Sequence, residues 1–236
     1  MNESGAPMHD QSLNTPAYQT VKAQYAEALR QFDKNRCVQI ATTALAEGVL
    51  SIETLYTAVL APVLNEISDA EQGTARAIWQ EHVRSEITRT VLENCYPFVA
   101  RAAAQRRALD GGLSQGKVLI VMPTDEYHEL GARMGADFFE LCGFEVQFAG
   151  SNTPSEAIMQ GYAHFQPDFI DIHVVNYYNL FKARELISHI RQRAPHVKIL
   201  ASGHAFTSER DQAANFGPLC LIETFADVAS LRESPL

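Results

Sequence analysis

The sequence predicts an α/β protein with an N-terminal α domain, in which a four-helix bundle precedes a doubly wound, five-stranded parallel sheet of the flavodoxin or Rossmann-like type. Apolar residues recur at helical spacing through the first half of the chain. In the second half, short apolar runs alternate with amphipathic segments, as in strands joined by helices. A break, A-L-D-G-G-L-S-Q-G, separates the two patterns. We therefore expect two domains within the 236 residues.

The helical half follows a polar stretch, residues 1–15, that we expect to be a disordered leader. Residues 16–109 contain four helical segments with short connections, which is typical of an antiparallel bundle. Ser51 is the predicted N-cap of the third segment, since its hydroxyl can accept from an orphan backbone N–H. Residues 110–116 carry two adjacent glycines without periodicity, and we expect them to form a linker.

The α/β half is predicted to span residues 117–236. V-L-I-V-M is a continuous apolar run, as expected of a strand covered on both faces. Four further runs, F-E-V-Q-F-A-G, F-I-D-I-H-V-V, V-K-I-L-A-S-G and L-C-L-I-E, are predicted strands with helical segments between them. Ligands of such sheets lie beyond the carboxyl ends of the strands, where the strand order reverses.

Composition narrows the possible functions. The net charge is -9 and the basic residues are scattered, which argues against direct binding of nucleic acid. No apolar run approaches the roughly 20 residues that span a bilayer, and the N-terminus lacks the pattern of a signal peptide. We therefore expect a cytoplasmic location without membrane attachment. The four cysteines form no CxxC pair, and we expect them to be buried, reduced thiols.

Polar residues follow three of the predicted strands and would meet at one rim of the sheet. Glu126 and His128 follow the first strand, His173 ends the third, and Ser202 and Gly203 end the fourth. Taken singly, each has an ordinary structural interpretation, such as a solvated turn residue or a hydrogen-bonded core histidine. Their convergence favours a ligand site.

Motifs for other ligands of this sheet type are missing from the rim. The first strand is followed by neither GxGxxG nor GxxxxGK[ST], so a phosphate cradle for nucleotides is not predicted. A receiver domain would need an Asp after the third strand and a Lys after the fifth, where His173 and Glu223 stand. Gly131 and Gly135, one turn apart, instead allow a ligand to approach the first helix of this half closely.

The segment Glu126-x-His128-x-x-Gly131 resembles the D-x-H-x-x-G signature of cobalamin-binding domains, whose layout is also a helical bundle before an α/β domain. The resemblance implies that His128 is the lower axial ligand of cobalt in place of the cofactor's own base, with Glu126 or Asp125 as its partner. The nucleotide tail of the cofactor would then enter a slot beside the sheet. The family's Ser-x-Leu signature falls on the tripeptide that begins at His173, and its Gly-Gly falls on Ser202-Gly203, so both are degraded.

The bundle carries a second resemblance. W-Q-E-H-V-R-S-E is similar to a helix of cobalamin-dependent light-sensing regulators that carries a Glu-His pair. The resemblance implies that Glu81 and His82 lie over the upper face of the corrin, with His82 as a possible upper ligand. Those regulators have a tryptophan ten residues before the Glu, where this chain has Glu71. Trp79 is either a cofactor contact or an anchor of the bundle core.

These resemblances imply a sensory or regulatory protein, and an enzyme is not the favoured interpretation. It would bind cobalamin, or haem as the alternative tetrapyrrole, and signal light or redox state to a transcription-factor partner, as stand-alone antirepressors do. A second interpretation is a corrinoid carrier subunit of a methyltransferase system. A third is a scaffold of the same shape that has lost its cofactor. The sequence leaves the oligomeric state open.

Overall fold

Four helical stretches make up the described part of the N-terminal half, as predicted. The computed structural model describes residues 15–70, 74–208 and 216–233, so the predicted leader lies outside it except for Thr15, and Glu71 lies outside it too. The chain divides into two compact units, residues 1–98 and 99–236, and each is described by itself. The helices of the first half are α1 (Pro16–Arg30), α2 (Lys34–Ala46), α3 (Ile52–Thr54, continuing through the π-helical turn Leu55–Leu60 into Ala61–Ala70) and α4 (Ala75–Leu109).

Side-chain caps begin these helices, and an apolar interior holds them together. Ser51 accepts a hydrogen bond of 3.0 Å from the N–H of Thr54, so its prediction as an N-cap is confirmed. The interior of the unit includes Tyr25, whose ring is fully buried and whose hydroxyl lies 3.5 Å from Oγ1 of Thr88. Other fully buried side chains of this unit include Leu29, Leu55, Tyr56, Leu60 and Val91.

Helix α4 continues past the end of the first unit. It contains Pro97, which lacks the N–H for one helical hydrogen bond. The boundary between the two units follows at once, between Phe98 and Val99. The helix ends at Leu109, where Gly111 and Gly112 adopt positive φ in the segment that the sequence predicts to be a linker.

The second unit contains the predicted sheet of five parallel strands, in the order β2-β1-β3-β4-β5, which confirms the doubly wound fold. The chain runs outward from β1 in both directions, so the order reverses between β1 and β3. The strands are β1 (Lys117–Val121), β2 (Glu145–Phe148), β3 (Phe169–His173), β4 (Lys198–Ser202) and β5 (Cys220–Ile222). The helices are α5 (Leu130–Leu141), α6 (Ser155–Phe165), α7 (Leu180–Arg193), α8 (His204–Ser208) and α9 (Phe225–Ser230).

Burial follows from the position of each strand. Every residue of β3 is buried because β1 and β4 flank it and helices cover its faces. Three cysteines are buried as predicted, but the prediction is wrong for Cys220, which is exposed at the start of the edge strand β5. Among the described helices, none is both long and apolar enough to cross a membrane.

Candidate functional site

The loop after β1 carries the predicted ligand residue. Asp125 adopts φ +68°, a left-handed conformation that costs energy for a residue other than glycine. Its N–H donates to Oδ1 of Asn152 at 3.0 Å, and its carbonyl accepts from the side-chain amide of Asn179 at 3.1 Å. These bonds hold the loop in the turn that points Glu126 into the protein and leaves the side chain of His128 half-exposed.

Glu126 is the partner of His128, which decides between the two candidate acids. Its carboxylate is completely buried. Oε1 accepts from Nδ1 of the imidazole at 2.6 Å and from the backbone N–H of His128 at 3.1 Å. Oε2 accepts from the N–H groups of Val175 and Asn176, at 3.1 and 2.9 Å, and from the side-chain amide of Asn179 at 3.1 Å. One carboxylate therefore joins the loop after β1 to the turn after β3.

These bonds keep the carboxyl of Glu126 ionised and orient the ring of His128. Burial alone would raise the pKa of Glu126, but the hydrogen bonds from His128, Asn176 and Asn179 outweigh it and lower the pKa to about 2. Because the carboxylate is ionised, it accepts the proton on Nδ1 of His128. The lone pair of the neutral ring then lies on Nε2, on the far side from Glu126. A carboxylate that fixes the tautomer in this way is the usual support of a histidine that binds a metal.

A second polar network lies at the ends of β3 and β4. The hydroxyl of Ser202 donates to Oδ2 of Asp171 at 2.8 Å, so it accepts from Nδ1 of His173, 2.9 Å away. Burial raises the pKa of Asp171 to about 7 and lowers the pKa of His173 to about 4. All three side chains are buried, and Nε2 of His173 has no hydrogen-bond partner among the described residues. Asp171 is a residue that the sequence analysis missed, although an acid inside an apolar strand was a visible signal.

The predicted glycines differ in what surrounds them. A Cβ on Gly131 would lie 3.0 Å from Nε2 of His173, so that imidazole occupies the space beside it. Gly203 adopts φ +92°, and a Cβ there would lie 2.4 Å from the carbonyl oxygen of Val174, which makes glycine a requirement of the backbone. A Cβ on Gly135 would meet no atom within 4 Å.

The residues predicted in the bundle lie on the surface of the first unit. Trp79 is 57% exposed, and its ring lies 5.7 Å from the ring of Phe32. The alternative of an anchor in the bundle core is therefore wrong. Glu81 and His82, two and three residues further along α4, are also exposed.

The single imidazole of His128 suits a metal ion that is already bound by a macrocyclic ligand. Within the described part of the chain, no three His, Cys, Asp or Glu side chains converge as a metal cluster. His128 offers one oriented nitrogen, which is what an axial ligand of the metal in a tetrapyrrole requires. A ligand seated on His128 would lie at the crevice where the strand order reverses. The fold and this rim define an α/β domain, preceded by a helical unit, that presents one oriented imidazole where the strand order reverses.

Two protein-family models match successive parts of the chain and show its family. A B12 binding domain matches residues 116–223, and a second B12 binding domain matches residues 21–96. Together they span more than three quarters of the chain, which belongs to the family of cobalamin-binding proteins with this two-part layout. These matches support cobalamin as the cofactor and do not support the haem alternative.

Individual relatives are distant. The chain is 23% identical over 180 residues to the HTH-type transcriptional repressor CarH of Myxococcus xanthus, covering 76% of this chain and 56% of that protein. The chain thus spans just over half the length of that relative. Its fold is similar to that of the Methanosarcina barkeri monomethylamine corrinoid protein, with a TM-score of 0.75 at 15% identity over 90% of this chain and 97% of the other.

Proposed function

We propose that this protein is a cobalamin-binding sensory regulator in which His128 is the lower axial ligand of cobalt. The observation that carries the proposal is the Glu126–His128 pair, a buried carboxylate that orients an accessible imidazole at the strand-order reversal. Bound cobalamin would supply a cobalt ion whose axial ligation responds to light or redox state. Glu126 then connects that event to the protein, because its second oxygen holds the turn after β3.

The turn held by Glu126 carries an exposed aromatic surface. Tyr177 and Tyr178 follow Asn176 directly, their ring centroids lie 4.4 Å apart, and both are exposed. A displacement of His128 changes the hydrogen bonding of Glu126 and so the hold on this turn. This route supports a regulator, because a change at the metal would reach a surface that a partner protein could contact.

We take the helical unit as residues 16–109 and the linker as 110–116, and we propose that Trp79, Glu81 and His82 of the helical unit contact the cofactor. All three side chains are exposed, and Trp79 and His82, which are three residues apart, lie on one face of α4. A flat aromatic ring suits an apolar macrocycle, and His82 could supply a second axial nitrogen. The likeness to a transcriptional repressor supports an output to transcription through a protein partner.

A corrinoid carrier of a methyltransferase is the competing function. Its support is the oriented His128, which a carrier would also need. The buried His173–Ser202 pair supports the regulator instead, because both residues replace the small residues of the family signatures. Methyl transfer between the bound cobalt and a partner enzyme, assayed with methylated cobalamin, separates the two functions. Transfer would assign the carrier.

The axial ligand is tested by visible spectroscopy. The full chain is mixed with hydroxocobalamin in the dark, and we expect a spectrum that differs from free cofactor and changes on illumination or reduction. His128→Ala should remove the histidine-ligated spectrum and weaken binding. The matched control is His189→Ala, on the exposed face of α7. A wild-type spectrum in the His128 variant contradicts the assignment, and a free-cofactor spectrum in the wild type contradicts cobalamin binding.

A further inference from the structure

The space that the nucleotide tail of a cofactor would need is partly filled in this protein. In cobalamin, a nucleotide tail hangs from the face of the corrin that His128 would ligate. Because ligands of such sheets lie beyond the carboxyl ends of the strands, we place this tail near the ends of β1, β3 and β4, where side chains are missing at Gly131, Gly135 and Gly203. Gly203 leaves no room because its missing side chain faces the Val174 carbonyl.

Beside Gly131 the room is taken by a side chain. The imidazole of His173 reaches within 3.0 Å of the Cβ position of Gly131, closer than ordinary van der Waals contact. At this point a tail and the ring compete for one space, since protein interiors are packed without spare volume. Of these three glycines, only Gly135 has open space where a side chain would be.

The ring is held in that position by its neighbours. Nδ1 of His173 donates a hydrogen bond to the hydroxyl of Ser202, which in turn donates to Asp171. These hydrogen bonds hold the imidazole in its position. His173 and Ser202 are also register partners of adjacent strands, which places their side chains on the same face of the sheet. Turning the ring away from Gly131 would break a buried hydrogen bond and leave Ser202 without its donor.

We propose that the His173–Ser202 pair selects corrinoids that lack the nucleotide tail. This inference rests on the proposed function and goes beyond it by naming the cofactor class. The site takes a cobalt corrinoid on His128 and disfavours the full-length tail because the imidazole stands in its way. Cobinamide, the corrin without its nucleotide, is therefore the better ligand, and cobalamin binds only with displacement of the ring.

The test compares two cofactors on the whole chain. Equilibrium titrations followed by visible absorbance give Kd for aquocobinamide and for hydroxocobalamin. We expect the wild type to bind aquocobinamide about tenfold more tightly, which corresponds to about 1.4 kcal/mol. The variant His173→Ser/Ser202→Gly should lose that preference through tighter binding of cobalamin. His189→Ser is the matched control and should keep the wild-type ratio.

Folding is followed separately, by thermal unfolding of each variant without cofactor. His173→Asn is a milder second variant, because its shorter side chain can still bond to Ser202 and frees part of the space beside Gly131. It should shift the ratio of the two Kd values in the same direction as the double variant. Equal or tighter binding of hydroxocobalamin by the wild type, or a ratio that both variants leave unchanged, overturns tail exclusion while cobalamin binding stands. If the wild type binds neither corrinoid, the proposed function itself is overturned.

Discussion

Replacing Glu126 by Gln should weaken the second unit more than a typical surface change, and the size of the effect follows from the hydrogen bonds. The carboxylate is fully buried and accepts five of them, from the loop after β1 and from the turn after β3. A Gln side chain keeps one acceptor oxygen but turns two N–H donors toward groups that are themselves donors. A buried donor without an acceptor costs about 1–3 kcal/mol, so we expect a loss of about 3 kcal/mol at pH 7.

The lowered pKa of Glu126, which results from the same hydrogen bonds, corresponds to a similar magnitude. Lowering the pKa of Glu126 from 4.5 to about 2 corresponds to about 3 kcal/mol of preference for the ionised form in the folded state. Because the folded-state pKa is the lower one, this stability is fully present above pH 4.5 and is lost as the pH falls toward 2. The difference in the free energy of unfolding between wild type and Glu126→Gln should therefore decrease from about 3 kcal/mol at pH 7 to about 1 kcal/mol at pH 3.

Urea unfolding at pH 7, 4 and 3 measures this gap directly, with the slope of the transition checked for two-state behaviour. Glu185→Gln, on the exposed face of α7, is the matched control and should change stability by less than about 0.5 kcal/mol. A gap that stays constant over this pH range, or one below about 1 kcal/mol at pH 7, would refute the reasoning that the ionised carboxylate holds the two loops together.

Three further substitutions test the rim and its surroundings. Gly203→Ala places a Cβ 2.4 Å from the Val174 oxygen and should lower the free energy of unfolding by about 2–4 kcal/mol. Gly135→Ala, in open space on a helix, should instead raise it by about 0.5–1 kcal/mol. Thermal unfolding of both variants measures this contrast, and equal losses of stability would contradict it. Asp171→Asn removes a carboxyl whose pKa burial raises to about 7, so wild-type stability should fall relative to the variant by about 3 kcal/mol between pH 5 and pH 8. A difference that does not change with pH would show that Asp171 is not protonated in the folded protein.

The sequence predicted the fold because its signals are local. Continuous apolar runs separated by helical periods specify buried parallel strands, and the five strands lie where those runs occur. The predicted helix beginning at His128 starts two residues later, at Leu130, since the loop is bent by Asp125 and Glu126. Ser51 was found as a cap from its place before an apolar period alone.

The candidate site was predicted only in part. The spacing of Glu126 and His128 is local, so the pair could be read from the chain. Asn179 was missed as a partner of Glu126 because it lies 53 residues away and nothing in its surroundings marks it. The exposed position of Trp79 could not be read either, because an aromatic residue at helical spacing fits a buried and an exposed face equally well.

By itself, then, the sequence determined the two-part architecture, the strand ends that meet at one rim and the histidine that stands there. Tertiary structure alone decided which acid holds that histidine and what His173 does. Those outcomes depend on strand register, which sets His173 opposite Ser202 across 29 residues of chain and beside the missing side chain of Gly131. Register is fixed by the packing of the whole sheet, and no short stretch of sequence contains it.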